Sequence, residues 1–138
     1  MGRSGGISID HLGIAVRSID GALPFYAALI EGAAPVREVV DAEAVTVAML
    51  PVEGSRIELL EPLDDDSVIA KFIEKRGPGL HHVAFRVDDL NAAIERMKAS
   101  GARILHEPRI GAGGHLYVFV HPASTGGVLI ELVQEQAK

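Results

Sequence analysis

The chain has 138 residues, enough for one domain with a sizeable core, and its 48% hydrophobic and 23% charged residues describe an ordinary soluble globular protein. A formal net charge of −6, with no cluster of Lys and Arg to override it, argues against nucleic acid, and no apolar run approaches the roughly 20 residues of a membrane span. Without cysteine, disulfide and thiolate chemistry are excluded, any metal must be held by His, Asp or Glu, and a reducing cytoplasm fits.

The opening MGRSGGIS lacks the apolar core of a signal peptide and reads as a loose tail. The first strand is expected in ISIDHLGIAV, where alternation puts Ile9, His11, Gly13 and Ala15 on one face and Leu12, Ile14 and Val16 on the other. Small residues beside His11 point to a cavity on that face. In SIDGALPFYAALIEGA, Ala22, Phe25, Tyr26, Leu29 and Ile30 keep helical spacing before Gly32, and Pro24 sets the expected start near Asp20. AVTVAML and SRIELLEP read as strands, the second carrying Glu58 between Ile57 and Leu59. A helix in DSVIAKFIEKRG follows, with Ser67 or Asp66 as cap and Gly77 as stop.

The pattern then starts again. GLHHVAFRV reads as a strand, with His82 in the place of His11. DDLNAAIERMKASGA reads as a helix with the apolar stripe Leu90, Ala93, Ile94 and Met97, acidic residues at its start and Gly101 at its end. HLYVFVHP and GGVLIELV supply further strands, and Glu131 stands between Ile130 and Leu132 as Glu58 does in the first half. This repeat predicts an α+β fold of two tandem βαβββ modules, about 7–62 and 79–134, joined by a helix at about 66–77 in a single domain, 1–138.

Two histidines and two glutamates recur in matched places: His11 precedes Glu58 by 47 residues, and His82 precedes Glu131 by 49. A carboxylate among apolar strand neighbours costs several kcal/mol unless it is paired. Convergence of all four on one divalent cation would remove that cost. Two carboxylates balance the charge and two imidazoles add borderline donors, a set suited to Co, Ni, Mn, Fe or Zn rather than Ca. Four protein ligands leave an octahedral ion two open positions, a Lewis-acid site with room for a bidentate substrate. A lone strand histidine or edge glutamate is ordinarily structural; the matched pairs carry the metal reading. His81 faces the other way and is expected to be structural, while His106, His115 and His121 fall in loops or strand ends, His115 being a weaker site candidate.

At this point the chain resembles the vicinal oxygen chelate superfamily and, within it, the methylmalonyl-CoA epimerases. IDHLGIAV, RIELLEPLDDDSVIAKFIEKRGPGLHHVAFRVDDL, EPRIGAGG and HPASTGGVLIEL carry the resemblance over most of the chain. It implies a curved mixed sheet around a metal held by His11, Glu58, His82 and Glu131. It also implies a homodimer, an acyl-CoA substrate, and interconversion of (2R)- and (2S)-methylmalonyl-CoA by proton transfer at C2. Inversion needs an acid/base group on each face of the substrate. The resemblance gives one role to Glu131. The family's other glutamate aligns with Val47, which leaves Glu43 as the nearest acidic candidate, with Glu58 or a water on the metal as alternatives. Ala123 stands where relatives commonly have Lys, with either a weakened anion contact or only an altered turn to follow. RIGAGGH reads either as a backbone cradle for the substrate carboxylate or as a hairpin loop, and Lys71, Lys75 and Arg76 either meet CoA phosphates or form a solvated helix face. The rival activities are glyoxalase I-like isomerisation of a hemithioacetal, which uses the same ligands, and non-catalytic small-molecule binding.

Overall fold

The computed structural model describes residues 6–32 and 34–136, so the tail at 1–5 lies outside the described residues. The fold is α+β. The chain packs as two compact units, His11–His81 and Met1–Asp10 with His82–Lys138.

The first unit contains most of strand β1 (Ser8–Ala15), then α1 (Ile19–Leu29), β2 (Val36–Val40), β3 (Val45–Val52), β4 (Ser55–Pro62) and α2 (Val68–Arg76). Its strands lie in the order β2-β3-β4-β1; β1 runs parallel to β4 and the other neighbours are antiparallel. The crossover through α1 brings β2 in parallel to β1, and two antiparallel hairpins then set β4 parallel beside β1. Ser18 caps α1 by accepting from the Gly21 N–H at 3.0 Å. The helix starts at Ile19, beside the expected Asp20, and carries Pro24 inside it on an exposed position. The missing Pro24 N–H leaves only the Asp20 carbonyl without its helical donor. Val16, Ile19, Ala48, Leu50 and Leu59 form the core beneath α1, which sends the alternate residues Val47 and Met49 of β3 to the opposite face. Ser67, not Asp66, caps α2, its hydroxyl accepting from the Ala70 N–H at 2.9 Å. Gly77 ends that helix at φ 79°, where a side chain would be strained.

The second unit repeats the plan with β5 (Gly79–Arg86), α3 (Leu90–Ala99), β6 (Arg109–Ile110), β7 (Leu116–Val120) and β8 (Ile130–Gln134). The strand order is β5-β8-β7-β6, with β5 parallel to β8. Asp89 caps α3, and Leu90, Ala93 and Ile94 pack on Val118, Val120 and Leu132. Among the described residues no helix is long and apolar enough to cross a membrane.

Two strands have no individual expectation in the sequence reading, β2 and β6. Both are edge strands: β2 interleaves Arg37 and Glu38 with its valines, and β6 is two residues long inside the glycine-rich RIGAGGH. Edge strands need only one paired side and one covered face, so their apolar pattern is weak.

Candidate metal centre

The parallel pairing of β1 with β4 sets Gly13 opposite Glu58, and that of β5 with β8 sets Ala84 opposite Glu131. In each half the histidine stands two residues before the small residue, on the same face of the strand. The two halves therefore share one register, and it brings each histidine diagonally to its glutamate. His11 Nε2 lies 3.4 Å from Glu58 Oε1, and His82 Nε2 lies 2.9 Å from Glu131 Oε1. All four are buried, with 3–8% of each residue exposed. Gly13 and Ala84 leave the strand surface low beside each pair, and the His82 ring rests edge-on against Phe119 at 5.3 Å.

The donors fit a divalent ion. Two cis ligands of an octahedral ion, each about 2.1 Å from the metal, stand about 3 Å apart, close to both His–Glu separations. Each imidazole offers Nε2 and each carboxylate Oε1, the nitrogen and oxygen donors that borderline divalent metals take.

Glu58 has a further partner that the sequence reading passes over. Arg56 Nε and Nη2 both donate to Glu58 Oε2, at 3.2 and 3.0 Å. The sign was there: i and i+2 on a strand share a face.

The remaining histidines are tied to structure. His81 packs edge-on against Phe72 of α2 at 4.9 Å, as expected for the opposite face. His106 Nε2 accepts from the Phe119 N–H at 3.3 Å, and His121 Nδ1 from the Ala123 N–H at 3.0 Å. His115, the weaker site candidate, accepts from the Gln136 N–H through Nδ1 at 3.0 Å. In the RIGAGGH hairpin, the Gly111 N–H bonds the His115 carbonyl and the Gly114 N–H bonds the Gly111 carbonyl, so both donors serve the turn. Lys71, Lys75 and Arg76 lie on the exposed side of α2.

Glu43 closes a short 3-10 turn, Asp41–Glu43, between β2 and β3. The following Ala44 adopts a left-handed conformation, φ 52° and ψ 49°. Val47 is buried, opposite Leu60 of β4 on the face that carries Glu58.

Residues 10–119 match the model of the family described as the Glyoxalase/Bleomycin resistance protein/Dioxygenase superfamily. The chain belongs to that superfamily. Among its curated relatives is the ethylmalonyl-CoA/methylmalonyl-CoA epimerase of Cereibacter sphaeroides, 40% identical over 131 residues that cover 91% of this chain and 96% of the relative. The crystal structure of methylmalonyl-CoA epimerase from Mycobacterium tuberculosis matches with a TM-score of 0.90 and 40% identity, covering 99% of this chain and 94% of that one. A variant of Streptomyces coelicolor methylmalonyl-CoA epimerase in complex with 2-nitronate-propionyl-CoA matches with a TM-score of 0.86 and 39% identity, over 94% of this chain and 97% of that one. Superfamily membership accounts for the duplicated module, and these relatives carry the epimerase likeness across nearly the whole chain.

Proposed function

We propose that this protein is a methylmalonyl-CoA epimerase, an isomerase that interconverts (2R)- and (2S)-methylmalonyl-CoA by proton transfer at C2. The carrying observation is the 40% identity with the Cereibacter sphaeroides epimerase over 131 residues. The repeated, buried His–Glu pair supplies matching chemistry.

The proton at C2 lies between a thioester and a carboxylate, and its loss leaves negative charge on the thioester oxygen. His11, Glu58, His82 and Glu131 would hold a divalent ion, which when bound would supply Lewis-acid stabilisation of that charge. Glu131 takes or returns the proton on one face of C2, and Glu43 serves the opposite face, where Val47 offers no acid or base. Each transfer by a positioned side chain is worth about 10²–10⁴ in rate. The burial of Glu131 keeps bulk water from competing for the proton.

The ligand class is an acyl-CoA thioester, in line with the 2-nitronate-propionyl-CoA bound to the Streptomyces relative. The two units work as one domain, and the resemblance of the sequence supports a homodimer. A cytoplasmic location fits the cysteine-free chain.

Metal removal tests the reading directly. Dialysis against a strong chelator is expected to abolish epimerisation, and Co²⁺ or Mn²⁺ to restore it. Full activity in verified metal-free protein would contradict the metal-dependent reading.

A further inference from the structure

The two His–Glu pairs share a register but differ in the residue two positions before the glutamate. In the first half, Arg56 grips one oxygen of Glu58 with two nitrogens, while the other oxygen faces His11. The Glu58 side chain is 4% exposed and that of Arg56 23% exposed, so a buried carboxylate meets a partly exposed arginine. The matching place in the second half, two residues before Glu131, is Leu129, which has no side-chain donor.

We infer that Arg56 is a positioning residue that commits Glu58 to one-oxygen ligation. Its Nε and Nη2 both engage Oε2, so that Oε1 is the oxygen presented beside His11 Nε2. Outer partners of this kind orient metal ligands, and their loss typically costs about 10–100-fold in metal affinity. With Oε2 engaged by Arg56, Glu58 serves as a ligand and proton transfer is left to Glu131 and Glu43. The inference rests on the metal site proposed above.

The test uses full-length protein loaded with Co²⁺ and two variants, Arg56→Met and Arg56→Lys, with far-UV circular dichroism to verify folding. Affinity is read by competition with a chromophoric chelator, and coordination by the visible absorption of bound cobalt. Arg56→Met is expected to bind cobalt about tenfold or more weakly. Its visible bands are expected to lose intensity, because a released Glu58 can chelate through both oxygens and raise the coordination number. Arg56→Lys keeps the charge but not the fork, so it should show the same spectral change with a smaller loss of affinity. If Arg56→Met does not fold, Arg56→Lys decides through its spectrum. Wild-type affinity and spectrum in the folded variants would overturn the inference while leaving the metal site intact. A wild-type protein that binds no cobalt would instead overturn the metal site, and this inference with it.

Discussion

Single residues decide which of the two proton carriers does what. Glu131 is both a proposed ligand and a proposed base, so Glu131→Gln removes a charge from the ion and an acceptor from the substrate together. Epimerisation in that variant is expected to fall at least about 10³-fold, within the range for a lost acid/base group, with exchange of the C2 proton falling in parallel. Glu43→Gln should separate the two events. Loss of one of two carriers should slow epimerisation about 10²-fold or more, while C2 exchange without inversion persists through Glu131. Equal, wild-type rates of exchange and inversion in Glu43→Gln would remove Glu43 from the mechanism. The sequence makes His11, Glu58, His82 and Glu131 stand out because each is a polar residue in an apolar alternating run, and then again because each has a double. Arg56 is less visible. An arginine at the start of a strand reads as a surface residue, although its i, i+2 spacing puts it on the face of Glu58, where two contacts hold it.

At the scale of elements, the turn between β2 and β3 holds local strain at Ala44. Ala44 is the one non-glycine residue with positive φ among the described residues, and its left-handed conformation costs about 1–2 kcal/mol for a residue with a Cβ. Ala44→Gly relieves that strain but adds entropy to the unfolded chain, so a net gain of about 0.5–1 kcal/mol is expected. Urea unfolding monitored by circular dichroism would read this; a loss of stability would show that the Ala44 methyl makes contacts outweighing the strain. Helices were the most legible elements. Ser67 and Asp89 cap α2 and α3 through their side chains, and Gly77 and Gly101 stop them, all local signals that need no tertiary context. Strands with a buried face, such as β4 and β8, were legible from their apolar runs. β2 and β6 were not, because an edge strand is specified by its neighbour's hydrogen bonds more than by its own side chains. Glycines in RIGAGGH drew attention as a possible anion cradle, yet two of their N–H groups close the hairpin.

For the whole molecule, duplication is the organising fact. A module with one His–Glu pair has two donors, too few to hold a divalent ion firmly; in the proposed site two copies would supply four, together with a charge balance that suits the ion. The repeat was plain in the sequence, down to RIELL against LIELV, since the same register had to be encoded twice to bring each histidine to its glutamate. The choice among activities was not encoded there in the same way. Glyoxalase I-like isomerisation would use the same ligands, and the likeness to epimerases over nearly the full chain is what separates the two. Solvent exchange at C2 of methylmalonyl-CoA tests that choice most directly. With metal-loaded protein in deuterium oxide, mass spectrometry is expected to show one deuteron entering at C2 as the epimers interconvert, and none after chelation. No incorporation at high concentrations of metal-loaded protein would contradict the assignment.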